Sequence, residues 1–197
     1  MNQKSFFLGS LLAILIITSL SAQEPTHWRG AEANGIYTGT DLLQKWPDSG
    51  PEILWSFDGL GQGHSSAVYA NNSIYTAGMI EEKGFIFKLS LTGELLYKKE
   101  YGPEFTESYS GTRGTPVVVG DKIYFVSGFG VLYCMNEKDA SLLWKIDMVN
   151  DFGGKVIRWG YNETPVVDGD VIYATPGGKK SVIAMNRHNG AVIWTCA

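Results

Sequence analysis

The chain is poor in residues that bind metals and has no concentration of positive charge. Of its 197 residues, only two are cysteine and three are histidine, and 16 Lys and Arg against 20 Asp and Glu leave a formal net charge of −4. No stretch is basic, and a basic patch is the electrostatic signature of nucleic-acid binding. We therefore expect no nucleic-acid partner. Cys134 and Cys196 are too few for a disulfide framework, and neither they nor the histidines have metal-ligand spacing, so we predict no metal site.

Only one long hydrophobic run occurs, and it lies at the amino terminus. Lys4 precedes an apolar stretch over residues 6–20, and Ala22 offers a small residue for cleavage before Gln23. This pattern predicts a secretory signal peptide over residues 1–22. An uncleaved membrane anchor is the alternative, but a run of about 15 residues is shorter than the roughly 20 that span a bilayer. We predict export to the periplasm or the extracellular space, with no stable membrane span after cleavage.

Glycine and aromatic residues are plentiful, and the sequence repeats with a period of 49 residues. The run TPVVVGDKIY at 115–124 returns as TPVVDGDVIY at 164–173, and a weaker copy lies at 66–75. A fixed period of this size indicates a repeat architecture. Because repeats supply a scaffold, we expect the function to lie where the copies differ.

Each copy contains four short β-branched or aromatic runs that are separated by turn residues such as Gly120-Asp121 and Asn189-Gly190. Four short strands joined by tight turns form an antiparallel meander. Such a sheet is apolar on both faces, and radial repetition buries both faces against neighbouring sheets. A β-helix would need shorter coils, and a sandwich would not keep a 49-residue register. The sequence therefore predicts an all-β fold, a β-propeller with four-stranded blades at about 66–97, 115–146 and 164–195.

A large aromatic residue closes each predicted repeat. These residues are Trp55, Tyr97, Trp144 and Trp194. A large ring at the end of an outer strand can fill the space between two sheets and bury on the order of 200 Å². We predict that these four residues dock one blade on the next and have a structural role.

The motif AMNRHNGAVIW at 184–194 resembles the repeat of PQQ-like (pyrroloquinoline-quinone-like) β-propellers, the quinoprotein alcohol-dehydrogenase-like superfamily. The Thr-Pro-Val-Val runs followed by Gly-Asp and Ile-Tyr are similar to the same repeat. The segments WRG at 28–30, LGQG at 60–63 and DFGG at 151–154 resemble secreted bacterial members. The resemblance covers roughly residues 28–195 and implies a ring of about seven or eight blades.

The predicted ring is incomplete. Residues 23–51 are expected to form an extended segment, and residues 52–197 a partial propeller of three blades. Residues 53–57, which include Trp55, are predicted to be an orphan outer strand that completes a last blade. We interpret the chain as the N-terminal portion of a longer protein, and association of several copies into one ring is the alternative.

Three polar residues occupy the same repeat position, directly before the predicted inner strands. They are His64, Arg113 and Asn162. The resemblance places such positions at the mouth of a central channel, where Trp159, Tyr161 and Glu163 come from the same region. We predict a site for a small polar or anionic ligand, with Arg113 as a fork-shaped donor, His64 as a titratable group and Trp159 as a stacking platform.

The alternative is a solvated channel mouth without a ligand, in which Glu163 pairs with Arg113 or Arg158. If the site is real, we expect Arg113→Ala to abolish binding and leave folding nearly intact.

The resemblance implies that quinoprotein dehydrogenases carry adjacent cysteines, a tryptophan floor and carboxylate or amide calcium ligands. This sequence has no adjacent cysteines, and no residue set matches the calcium site, so PQQ with calcium is unsupported and no cofactor or catalytic residue is predicted. We predict a non-catalytic extracytoplasmic scaffold that binds an unknown protein or a small polar ligand. A PQQ-dependent alcohol or sugar dehydrogenase is the alternative. The family also contains propellers that help to assemble outer-membrane proteins, but these are typically lipid-anchored, and no cysteine follows the signal segment.

Overall fold

The computed structural model describes residues 26, 28–30, 32–37 and 39–197, so the predicted signal segment lies outside the described residues. Within them the chain forms twelve β-strands and one short helix. The first sheet contains β1 (Val68–Ala70), β2 (Ser73–Ile80), β3 (Lys83–Leu89) and β4 (Leu95–Pro103). The second contains β5 (Val117–Val119), β6 (Lys122–Val126), β7 (Val131–Asn136) and β8 (Leu142–Asp147), followed by α1 (Met148–Phe152). The third contains β9 (Val166–Asp168), β10 (Val171–Ala174), β11 (Val182–Asn186) and β12 (Val192–Cys196).

Each sheet is an antiparallel meander whose four strands follow chain order. All three sheets share one irregularity, a shift in register between the third and fourth strands. The shift lies at 88/89, 134/135 and 184/185, which is the same repeat position each time. The three sheets are therefore three copies of one unit, and the predicted all-β fold of incomplete propeller type is confirmed. Among the described residues, no helix is long and apolar enough to cross a membrane.

Burial of the inner strands shows that the sheets lie side by side in chain order. The three valines of β5 are all buried, whereas β1 buries only Val68 and Ala70, and β9 buries only Val167. Successive side chains of a strand point to opposite faces. Val118 joins a core with Val68, and Val117 joins a second core with Val167. The middle sheet is therefore covered by a neighbouring sheet on both faces, and each outer sheet is covered by a neighbouring sheet on one face.

Two of the hydrogen bonds between the first two blades show that equivalent positions of the repeat are in contact, because each joins residues that are 49 positions apart. The Ser66 amide donates to Thr115 Oγ1 over 3.2 Å, and Asn71 Nδ2 donates to the Gly120 carbonyl over 3.0 Å. The sequence period is thus also a contact period, because equivalent atoms of neighbouring blades lie next to each other.

Three of the four closing aromatic residues donate a hydrogen bond to the following blade or turn. The bonds run from Trp55 Nε1 to the Leu91 carbonyl (2.9 Å), from Tyr97 OH to Glu137 (3.1 Å) and from Trp144 Nε1 to Arg187 (3.1 Å). The acceptors are backbone carbonyls at one repeat position, in the turn before a fourth strand. Trp194 instead contacts Tyr173 of its own blade, with ring centroids 6.0 Å apart, and is 46% exposed.

The prediction of an outer strand at 53–57 is wrong for this structure. In the described part of the chain no strand pairs with this segment, and Ile53 and Leu54 are more than 80% exposed. A strand needs a neighbour that satisfies its backbone groups. Trp55 ties the segment to the first blade through its bond to Leu91.

The turn before each fourth strand needs a left-handed residue. Gly190 has φ +73°, and a Cβ atom there would lie 3.1 Å from the Trp144 ring, whereas Gly169 has φ +53° and nothing within 4 Å. We expect Gly190→Ala to lower the free energy of unfolding by about 2 kcal/mol and Gly169→Ala by about 1 kcal/mol, because only the first adds a clash to the backbone cost. Urea unfolding of both variants measures the difference. Equal losses would show that Trp144 does not press on this turn.

Candidate functional site

The three segments that lead into the inner strands run next to each other. We call them lead-in segments, and they comprise residues 62–66, 111–115 and 160–164. Gly63 forms a parallel bridge with Thr112, and the His64 amide donates to the Thr112 carbonyl over 2.7 Å. A Cβ atom at Gly114 would lie 3.0 Å from the Glu163 carbonyl oxygen. The structure thus brings the three predicted repeat positions to one end of the blades.

Arg113 is the central connection of this region, and it is buried. Its guanidinium donates to three backbone carbonyls, those of Gly111 (2.8 Å), Ser108 and Trp159, and lies 4.5 Å from the centre of the Phe105 ring. Only 8% of the residue is exposed. These contacts argue against the expectation that Arg113→Ala leaves folding nearly intact, because the fork of donors faces the protein backbone.

Glu104 is a buried carboxylate beneath the same loops, and sequence reasoning missed it. Its Oε1 accepts from the amides of Phe105 (2.7 Å) and Gly128 (2.8 Å), and its Oε2 accepts from Tyr101 OH. Burial raises the pKa of Glu104, and the hydrogen bonds partly offset this. No periodic or motif pattern marks this residue, since it follows the end of β4 in a stretch that is polar in sequence.

Glu163 pairs with neither Arg113 nor Arg158 in the structure. Its Oε1 accepts from the Thr175 amide over 2.7 Å, and its Oε2 is buried and has no partner among the described residues. Burial raises the pKa of Glu163, and the hydrogen bonds from Thr175 partly offset the effect. The carboxylate caps the end of β10 and pays a desolvation cost for its second oxygen.

A pH series tests this environment. A raised carboxyl pKa contributes most to stability below the ordinary glutamate pKa, and the contribution is lost as the pH rises through the folded-state pKa. Glutamine cannot ionise and can still accept from Thr175. We therefore expect the free energy of unfolding of Glu163→Gln, relative to the parent chain, to increase between about pH 4 and about pH 7. Urea unfolding at several pH values measures it, and a constant or decreasing difference would contradict the assignment.

The remaining predicted site residues divide into buried and exposed groups. Tyr161 is 9% exposed, and its hydroxyl donates to the Pro176 carbonyl over 2.5 Å, so its role is structural. The side chains of His64 and Asn162 are exposed. Within the described part of the chain, no side-chain hydrogen bond or ion pair links either of them to another predicted site residue. His64, Arg113 and Asn162 therefore share a region but do not form one ligand cage.

Trp159 belongs to an exposed cluster that the sequence revealed only in part. Its ring lies 5.7 Å from that of Tyr109 at an interplanar angle of 33°, and the Arg158 guanidinium lies 4.8 Å from its centre. Tyr109 is 70% exposed and Trp159 47%. We call these three residues the aromatic platform. Tyr109 precedes its strand by many residues and lies outside the repeat, so no pattern in the sequence marked it.

A cavity beside the first lead-in segment has Ser66 in its wall. It has a volume of about 870 Å³ and lies between the N-terminal segment and β1, with Trp28, Tyr37 and Tyr69 in its wall. Thr26 holds the N-terminal segment by two backbone hydrogen bonds to Val118 of 2.9 and 3.0 Å. None of the six predicted ligand-binding residues lines this cavity.

Comparison with protein families decides the affiliation of the chain. The family model PQQ_2, described as Outer membrane protein assembly factor BamB, matches residues 47–197. This chain belongs to the PQQ_2 family. A comparison with curated proteins gave no match.

Solved structures share the fold of this PQQ_2 chain at low sequence identity. A europium-containing methanol dehydrogenase is 14% identical with a TM-score of 0.54, covering 73% of this chain and 26% of its own length. The quinohemoprotein alcohol dehydrogenase of Comamonas testosteroni is 13% identical with a TM-score of 0.54, covering 69% and 21%. BamB from Moraxella catarrhalis is 15% identical with a TM-score of 0.42, covering 63% and 33%. The PQQ_2 chain thus spans a third or less of the length of these structures.

Proposed function

We propose that this chain is part of an extracytoplasmic propeller that binds another protein and acts as an assembly scaffold. The description of its family, an outer-membrane protein assembly factor, supports this role. The signal-like segment 1–22 supports an extracytoplasmic location. The observation that carries the proposal is the aromatic platform, which presents Trp, Tyr and Arg side chains to solvent on loops that are tied down by the buried Arg113.

The chemistry of the lead-in segments favours binding over catalysis. A general base needs a partner that positions it and sets its pKa. In the described residues, His64 has no hydrogen-bonded carboxylate, and no three His, Cys, Asp or Glu side chains form a metal-binding group. The Arg113 and Glu163 side chains instead bind backbone groups of neighbouring segments.

The alternative is a quinone-dependent dehydrogenase, and its support is the shared fold. The fit of the described residues to a quinone with calcium is poor, because Glu163 offers one unpartnered oxygen and no group of three His, Cys, Asp or Glu side chains among them could hold a metal ion. Hard cations such as calcium take six to eight oxygen ligands. We therefore derive no reaction step through this cofactor.

Site-specific photo-crosslinking in the native host tests the scaffold proposal. A photoreactive amino acid at position 109 is expected to give discrete adducts with another protein, whereas the same group at the exposed position 150 of α1 should not. The alternative is assayed in parallel with purified protein, the quinone, calcium and a dye acceptor. Alcohol-dependent dye reduction without adducts at position 109 would overturn the scaffold in favour of the dehydrogenase.

A further inference from the structure

The Arg158 side chain is a free fork of hydrogen-bond donors. Its guanidinium stacks on the Trp159 ring at 4.8 Å, and among the described residues it takes part in no hydrogen bond or ion pair. Stacking uses the face of the guanidinium and leaves the N–H groups at its rim available. Those groups match the two oxygens of a carboxylate. An exposed arginine that is already oriented by an indole loses less rotamer freedom on binding.

Apolar ring surface lies directly beside this fork. The rings of Tyr109 and Trp159 lie 5.7 Å apart, tilted by 33°, and both are substantially exposed. Aromatic rings supply large contact area at a low cost in conformational entropy. The platform therefore offers a carboxylate position and an apolar position next to each other.

Three hydrogen bonds hold the two loops of the platform in place. Arg113 donates to the carbonyls of both Ser108 and Trp159, and Ser108 Oγ donates to the Arg158 carbonyl over 2.6 Å. Tyr109 adopts φ +52°, a conformation that side-chain-bearing residues rarely hold. The loops thus display their exposed side chains from a fixed backbone.

We infer that the aromatic platform binds a peptide segment of a partner protein in which an Asp or Glu stands next to a large apolar side chain. The carboxylate binds the fork of Arg158, and the apolar side chain covers Tyr109 and Trp159. Trp, Tyr and Arg are the residue types that dominate binding energy at protein interfaces. This inference rests on the proposed scaffold function and specifies its partner.

Calorimetric titration of the full chain with a defined peptide tests the inference. The probe is an acetylated, amidated pentapeptide that carries Phe followed by Glu among glycines, and its twin carries Gln in place of Glu. We expect Arg158→Gln and Trp159→Ala each to weaken binding of the probe about tenfold, since each removes one half of the site. Trp46→Ala, which removes a tryptophan that is 61% exposed elsewhere, should change it by less than about twofold.

A double-mutant cycle distinguishes a specific carboxylate contact from general attraction. The Gln twin should bind the parent chain about tenfold more weakly than the probe, and Arg158→Gln should bind probe and twin equally. If the parent chain does not bind the probe, the inference is overturned. It is also overturned if replacing Glu by Gln in the peptide weakens binding to Arg158→Gln as much as it weakens binding to the parent chain. Phenylacetate alone matching the probe in affinity also overturns it, because the site would then serve a small molecule.

Crosslinking and peptide binding together distinguish failure of this inference from failure of the scaffold proposal. If Arg158→Gln still forms adducts at position 109 and binds the probe as tightly as the parent chain does, the inference about the carboxylate is wrong and the scaffold proposal stands. Absence of any adduct would remove the scaffold itself.

Discussion

Arg113→Ala is expected to lower the free energy of unfolding by about 4 kcal/mol. The substitution removes three charge-assisted hydrogen bonds, to Gly111, Ser108 and Trp159, and leaves the Gly111 carbonyl buried and the other two partly buried without this donor. It also opens a space against Phe105. Urea unfolding followed by tryptophan fluorescence measures the loss.

Two control variants show whether the loss of stability comes from the buried hydrogen-bonding guanidinium of Arg113 or from the loss of a positive charge. Arg158→Ala removes the same side-chain type at an exposed position and should change stability by less than about 0.5 kcal/mol. Arg113→Lys keeps the charge but loses the fork, and should recover less than about half of the loss. An Arg113→Ala chain as stable as its parent would contradict the structure and restore the expectation that this arginine is free to hold a ligand.

Glu137→Ala is expected to lower the free energy of unfolding by about 3 kcal/mol. Glu137 accepts hydrogen bonds from Lys88 and from the Tyr75 hydroxyl of the first blade, and the side chains of Lys88 and Glu137 are only 15% and 11% exposed. The change leaves Lys88 without its counter-charge between two blades. Thermal or urea unfolding measures the effect.

A matched surface pair provides the control for this prediction. Lys83 and Glu100 lie 3.3 Å apart with side chains 57% and 45% exposed, and Glu100→Ala should cost less than about 1 kcal/mol. Replacing both buried partners, as Lys88→Met with Glu137→Leu, should recover most of the loss. Equal losses for Glu137→Ala and Glu100→Ala would show that the first two blades are not joined here.

The stability that the Lys88–Glu137 pair contributes is expected to depend on pH. Although burial raises the pKa of Glu137, the hydrogen bonds from Lys88 and Tyr75 outweigh it and lower the pKa below its usual range. The stabilisation is therefore complete above the ordinary glutamate pKa and is lost as the pH falls through the lowered value. The difference in stability between the parent chain and Glu137→Ala should shrink in this acid range.

The blades were predictable because their chemistry repeats. Alternating apolar side chains and turn residues recur every 49 positions, and the contacts from Ser66 to Thr115 and from Asn71 to Gly120 follow the same interval. The period therefore specified both the strands and the order in which the sheets pack. The backbone segments at equal places in the first two repeats lie side by side, as the bridge from Gly63 to Thr112 shows.

Features without a periodic counterpart could not be read in the same way. The helix α1 depends on local capping, with the Asp147 side chain accepting from the amides at its start and Gly153 ending it at φ +67°. The role of Arg113 depends on which carbonyls surround it, and an arginine before a strand is equally compatible with a ligand site. Residues 53–57 have the composition of a strand, but strand formation also requires a neighbour.

In this structure three similar sheets stand side by side, and each covers its neighbour. Inter-methyl NOEs in the folded chain are the direct test of this arrangement. The account predicts that the Val118 methyls contact Val68 of the first blade, whereas the Val117 methyls contact Val167 of the third. Two results would contradict this arrangement of the sheets. Both valines could show NOEs to the same neighbouring sheet, or only one of them could show NOEs to any other sheet. Either result would mean that β5 belongs to a two-layer structure.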